Sequence, residues 1–424
     1  MTRLVKWLGA ALLLALLLLG GVAVTLNYWV ASNDFRDRVA QQISAGLGVP
    51  VVLGSIKVDL WPLPAVALEQ VQIKSQPPLA LDRVEARPEW SPLLQGRLEV
   101  ATLLIRNATV PEQAVAGISA AFQKRQPVAK ENGGNRPASR TAFLPRRIVL
   151  DQLTWISSKG DRTTIDAQAL LADDGLPASA AVKLRKGRFE GSKLTLERQP
   201  DHWALRAEIA SGTVTGKLRF QPTDKGAPVL QGEFDSVNLD VAALAARSHT
   251  LTGRLDAHTL LRASLRDPKA LPEGLHTQTR FTVRNAVLHG LDLAQAVKTI
   301  GLSRGGETRL DSLAGNVTTE GRTIQLSNLA ASSGALSATG SVAMAPNREL
   351  SGHINVNLAA KAAGGALGVP LIVGGTLDSP SVTLSRGALL GAAIGTMIAP
   401  GVGTGAGVKL GDKLGEGLRG LFGK

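Results

Sequence analysis

The sequence predicts a mainly β protein: an amino-terminal transmembrane helix, then a mostly antiparallel sheet, a few short helices and a Gly-rich helical tail. Three observations support that class. Residues 8–26 carry no charge, a run long enough for a helix to cross about 30 Å of hydrocarbon. From Pro50 onward apolar residues recur with period two, the pattern of half-buried antiparallel strands. The composition, with 46 Gly, 21 Pro and 4% aromatic residues, is rich in turn formers and leaves the apolar surface to Leu, Val, Ile and Ala.

The elements follow in chain order. Leu12, Leu16 and Leu19 sit in the first apolar segment, Arg3 and Lys6 precede it, and Tyr28 and Trp29 follow as an interfacial pair. Basic residues stay on the cytoplasmic side, so the chain beyond about residue 30 is expected outside the cytoplasm. Gly21-Val22-Ala23 would also suit signal-peptide cleavage, but the apolar run continues past Ala23 to the aromatic pair and favours a retained anchor. Next, Ser32 or Asn33 caps a helix that carries Phe35, Val39, Ile43 and Leu47 on one face and ends at Gly46 or Gly48.

The strands come after it. In residues 350–358 every even position is apolar or Gly and every odd position is polar. The same alternation sets Trp203, Leu205, Ala207 and Ile209 on one side, as it does Val214 to Phe220, Leu251 to Ala257 and Leu336 to Met344. It recurs in shorter form around Val182 to Leu184, Leu194 to Leu196 and Ile324 to Leu326. One later helix is expected, where Leu293, Val297 and Ile300 share a face and Gly301 ends the run. A single helix cannot cover so many strands. The apolar faces must either pack together in a sandwich or line a long curved sheet that a ligand fills. Buried cores are the commoner solution, whereas the low aromatic content argues against one.

Chemistry-bearing motifs are sparse. No cysteine is present, which removes disulfides, thiolate metal sites and thiol catalysis. The net charge of +13 favours anionic partners, and an exported chain meets anionic lipid headgroups rather than nucleic acid. Gly301-Leu302-Ser303-Arg304-Gly305 fits a nucleophile elbow, yet a helix precedes the serine where the elbow needs a strand. The histidines at 202, 249, 258, 276, 289 and 353 lack metal spacing, and Gly401 to Ala406 lacks the strand that precedes a dinucleotide loop. No enzymatic activity and no cofactor are expected.

Recognisable motifs lie toward both ends. PVVLGSIKVDLWPLPAVALEQVQIK, residues 50–74, leads through a Gly-Ser-Ile strand to a turn at Pro62 and Pro64, and Pro92 to Gly96 form a Pro-Leu-Leu-x-Gly element. Later come FTVRNAVLHGLDLAQAV, a strand and turn through Leu313 to Gly321, and GVPLIVGGTLDSPSV with Gly375, Asp378 and Pro380. In these motifs the chain resembles the AsmA family over roughly residues 1–115 and 275–385. Ala286 departs from the usual Gly and loosens the turn expected there.

The resemblance implies an elongated, curved, groove-like sheet similar to that of chorein-type lipid transporters. It implies an inner-membrane anchor with the bulk of the chain in the periplasm, phospholipid as ligand, and a role in outer-membrane and envelope lipid homeostasis. On that reading Leu205, Ile209, Leu255, Leu336, Val342, Ile354 and Val356 form one apolar face in contact with lipid, while Arg254, His353 and Asn355 face water. Two other classes stay open: an envelope scaffold or regulator of outer-membrane protein assembly, and a hydrolase built on Ser303.

The chain then divides into an anchor (1–30), an amino-terminal helix and β region (31–122), a basic flexible loop (123–147), the β-groove (148–385) and a tail (386–424). The loop carries seven Lys or Arg against one Glu and cannot bury a core. In the tail, glycines recur every four residues from 387 and again from 403, beside a stripe of Leu410, Leu414, Leu418 and Leu421. Such spacing lets helices pack closely, so the tail is expected to fold, broken at Pro400, on the inner or outer membrane surface or on an envelope protein.

Overall fold

Period-two segments become strands throughout the computed structural model, which describes residues 32–59, 65–89, 100–125, 145–221, 228–245, 250–264, 273–298, 305–334, 336–358 and 367–384. The chain divides into two units, Met1–Arg198 and Gln199–Lys424. Among the described residues no helix is long and apolar enough to cross a membrane. The expected anchor, with Leu12, Leu16, Leu19, Tyr28 and Trp29, and the expected tail, with Leu410, Leu414, Leu418 and Leu421, lie outside the described residues.

The first unit holds β1 (Val51–Val52), β2 (Ser55–Asp59), β3 (Ala65–Ile73), β4 (Leu79–Pro88), β5 (Val100–Pro111), β6 (Arg147–Ile156), β7 (Arg162–Leu171), β8 (Pro177–Lys186) and β9 (Lys193–Arg198). β1 and β2 pair with successive stretches of β3, and the strands then follow in chain order. All pairs are antiparallel except β5 with β6, which run parallel. The helix expected after residue 32 forms as α1 (Asn33–Leu47). Ser32 Oγ accepts the Phe35 N–H at 3.3 Å, and Gly48 ends the helix at φ 75°.

A second helix, α2 (Glu112–Arg125), was not expected from the sequence and corrects the idea that helices cannot serve as cover. Its Ala-rich composition gives a weak apolar stripe, yet Ala114 is fully buried and Ile118 packs beside it. With Phe35, Val39, Ile43 and Leu47 of α1, it closes the apolar side of β1–β5 over Val51, Ile56, Val71, Leu79, Ala108 and Val110. Each such side chain contributes about 1.5–3 kcal/mol on full burial. The helix also takes up the first residues of the basic segment, Gln123 to Arg125.

The second unit holds β10 (Trp203–Ile209), β11 (Gly212–Gln221), β12 (Val229–Asp240), β13 (Leu251–Ser264), β14 (Leu275–His289), β15 (Glu307–Glu320), β16 (Thr323–Ser332), β17 (Leu336–Met344), β18 (Leu350–Leu358), β19 (Leu367–Thr376) and β20 (Ser379–Leu384). Every neighbouring pair is antiparallel and in chain order. Two short helices lie between strands: α3 (Val241–Leu244), capped by the Asp240 carboxylate, and α4 (Leu293–Lys298). The run β13–β20 curls on itself, since Thr250 Oγ1 at the start of β13 donates to the Leu377 carbonyl between β19 and β20 at 3.0 Å.

Six strands contain a non-glycine residue in the left-handed region: Gln70, Asn107, Gln152, Asn238, Asn285 and Asn328. All are Asn or Gln, and Asn tolerates that conformation better than most residues. At Gln152, Asn238 and Asn328 the register slips by one, forming β-bulges that bend the strand and increase its twist. Two of the freed backbone N–H groups find carboxylates on the next strand: Gln152 donates to Asp166 at 3.1 Å, and Asn238 to Asp256 at 2.8 Å. Ala286 is therefore not in a turn. It follows Asn285 inside the continuous strand β14 and is fully buried.

Candidate functional site

Because directly opposed residues in a sheet share a face, the register traces which side chains line up. One row crosses the second unit from Leu205 through Gly216, Phe234, Thr259, Thr279, Val317, Leu326, Val342, Gly352 and Val373 to Val382. A parallel row runs Leu239, Leu255, Val283, Leu313, Ala331, Ala338, Val356 and Val369. The seven residues expected on one apolar face occupy this same face. Leu205 and Val342 lie in the first row, Leu255 and Val356 in the second, and Ile209, Leu336 and Ile354 at alternate positions of their strands.

That face is closed at one end and open at the other. Around β15 and β18, α4 lays Leu293 and Ala296 onto Phe281, Val283, Leu310, Leu336, Val356 and Leu371. Leu336 is 6% exposed and Val356 fully buried, so the chain's own side chains already occupy the space over both. Leu205, Ile209, Leu218, Phe220, Leu230 and Leu255, by contrast, remain partly exposed. Of the helices described in this unit, α3 packs on β12 and β13 and α4 on β15 and β18.

The lining is not uniform either. Thr259, Thr277, Thr279 and Thr319 interrupt it on β13–β15, and the Thr259 and Thr279 hydroxyls bond each other at 3.0 Å. The first unit has a similar partly exposed apolar face. There Leu150, Ala167, Val182 and Leu194 form one row, and Ile148, Ala169, Ala180 and Leu196 another.

The reverse faces are charged. In the second unit His353 and Asn355 are exposed, whereas Arg254, expected to face water, is only partly exposed and its Nη1 is enclosed without a hydrogen-bond partner. Asp235 pairs with His258 at 2.8 Å, and Arg284 with Asp256 at 2.9 Å. In the first unit Glu85 is 3% exposed. Burial alone would push its carboxyl up, but hydrogen bonds from Arg83 (2.7 Å) and Arg87 (3.2 Å), with the Arg83 and Arg106 charges, hold it below the usual carboxylate range. Glu69 is lowered by its bonds to Lys57 and Ser55 and by the Arg83 charge. At Asp166 burial likewise pushes the carboxyl up, but the Gln152 N–H and Arg185 outweigh it and hold the group below the usual carboxylate range.

No group of three or more His, Asp or Glu that could hold a metal ion occurs among the described residues. Ser303 and the helix end at Ile300 and Gly301 lie outside them, as do Pro62, Pro64 and Pro92 to Gly96. The turn motif near residue 378 is resolved: Gly375 has φ +81°, and a Cβ there would stand 2.4 Å from the Ser379 carbonyl oxygen. Asp378 pairs with Arg348 at 3.0 Å.

Sheets with one apolar, partly open face and one charged face define an apolar-faced β platform. The model of the AsmA family matches residues 1–169, and that portion of the chain is similar to the AsmA family. The carboxy-terminal likeness, residues 275–385, lies outside the matched range. Comparison with curated proteins and with solved structures gives no match.

Proposed function

We propose that the chain is an inner-membrane-anchored periplasmic protein that shelters phospholipid acyl chains on its open apolar faces and so serves envelope lipid homeostasis. The observation that carries this reading is the apolar patch on β10–β12, where Leu205, Leu218, Phe220 and Leu230 stay partly exposed while the reverse face is charged. A bound chain is relieved of water at about 0.8 kcal/mol per methylene. Transfer along such a face needs no catalytic residue. The contact region would be limited to the open strands, because the α4 core fills the face around Leu336 and Val356.

The test is site-specific photo-crosslinking of the full chain in its membrane, with the crosslinker at Leu205 or Leu218. Phospholipid adducts are expected there and not at His353 or Asn355. Equal capture on both faces, or none at either, would overturn the proposal. The scaffold reading draws its support from the sealed core under α4, which gives the carboxy-terminal strands a rigid surface. It predicts protein adducts and no lipid at Leu205.

A further inference from the structure

Large side chains recline over glycines at several points on the apolar face of the second unit. Leu329 lies over Gly315, where a Cβ would meet its Cδ2 at 2.8 Å, and Ile354 lies over Gly340, again at 2.8 Å. Both pairs sit in the part of the face that α4 and the curled strands cover, so the recess there admits the chain's own core. The pattern recurs once in the open part. A Cβ on Gly232 would stand 2.6 Å from Phe234 Cε2, 2.8 Å from Cζ and 3.1 Å from Leu218 Cδ2, and a Cβ on Gly216 would stand 2.4 Å from Phe234 Cδ1. The Phe234 ring is thus laid down along the sheet across two glycine positions.

Glycine inside a strand gives up side-chain packing, and it commonly marks a place where a ligand or another backbone approaches closely. At Gly216 the neighbouring backbone itself demands the missing Cβ, because the Glu233 carbonyl oxygen would be 2.4 Å away. At Gly232 only side chains would be met. Phe234 remains partly exposed. The ring itself takes up the space the two glycines leave, so the sheet presents it lying flat and partly exposed.

We infer that Gly232 and Phe234 form the floor of the acyl-chain track, with Gly232 acting as a positioning residue that keeps the phenyl ring flat so that a diacyl phospholipid's chains can cross it. This rests on the reading given under Proposed function. A Cβ at residue 232 would swing the ring off the sheet and into the path of the chains. Removing the ring as well would reopen the path.

The experiment compares the full-length chain in its membrane, carrying the crosslinker at Leu205, in four forms: unaltered, Gly232→Ala, Phe234→Ala, and both together. A ring that displaces even one methylene from the face should lower retained phospholipid about four-fold in Gly232→Ala. Capture should return in the double variant, and Phe234→Ala alone should keep most of it. If the unaltered chain captures lipid and Gly232→Ala captures as much, the inference fails while the lipid-sheltering reading stands. If capture lost in Gly232→Ala is not restored in the double variant, the glycine serves packing alone and the inference fails again. If the unaltered chain captures no lipid, both readings fall together.

Discussion

An aspartate placed at Leu205 or at Val356 tests the contrast between the open and sealed parts of the apolar face. Both residues lie on that face, but Val356 is fully buried beneath the core that α4 completes, whereas Leu205 is partly exposed. At residue 356 the change removes a buried Val side chain, about 1.5–3 kcal/mol. It also buries a carboxyl with no partner, about 2–7 kcal/mol more. The sum rivals the whole stability of an ordinary domain, about 5–15 kcal/mol, so Val356→Asp should leave the second unit largely unfolded. At residue 205 water can reach the carboxylate, and the loss should stay near 1 kcal/mol, the lost contact of a partly buried Leu. Pulse proteolysis of the full chain across a urea series reads both values directly. Equal losses at the two positions would mean that the face over β10 is as closed as that over β18, and the argument for an open platform would collapse.

Other outcomes follow from particular residues. Glu85→Gln leaves Arg83, Arg87 and Arg106 short of their carboxylate. Because those arginines are partly solvated, the expected cost is about 1–3 kcal/mol at neutral pH, read by the same proteolysis. The folded carboxyl is held below its unfolded value, so its contribution is fully present above about pH 4.3 and is lost as pH falls through the lower folded value. The stability-against-pH slope of the first unit below that pH should therefore flatten in Glu85→Gln, and an unchanged slope would remove Glu85 as its source. Asn285→Val should cost about 1–2 kcal/mol for forcing a branched residue to φ 50°, with Asn285→Gly far milder; equal effects would place the cost in side-chain contacts instead. Gly375→Ala should destabilise the β19–β20 turn by about 1–3 kcal/mol, since a Cβ there meets the Ser379 carbonyl at 2.4 Å.

Alternation carried the strands well. Leu205, Ile209, Leu255, Leu336, Val342, Ile354 and Val356 were placed on one face by counting in twos, and the register puts them there. Counting in twos says nothing, however, about what lies above a face, and the sealing of Leu336 and Val356 depends on α4 crossing to β18, a long-range contact with no local signature. α2 escaped notice because alanine favours helix without marking a face, and its burial rests mainly on Ala114 and Ile118. The left-handed positions within strands were legible in principle. In each of Leu68-Glu69-Gln70-Val71, Ile105-Arg106-Asn107-Ala108, Val283-Arg284-Asn285-Ala286 and Leu326-Ser327-Asn328-Leu329, two consecutive polar residues break the alternation and the second is Asn or Gln. Reading Ala286 as a weakened turn overlooked that shared pattern.

The bond from Thr250 to Leu377 joins residues separated by 127 positions. While the chain is emerging, β13 can pair with β14 early, but the curl cannot close until the final hairpin has been delivered. Closing so long a loop late makes this the slow step of assembly. During that interval the surface later covered by β19 and β20 lies open to other chains, which is when aggregation threatens. A nascent chain halted before residue 367 should therefore be the species that quality-control proteases and holdases recognise, even though most of its strands are already made.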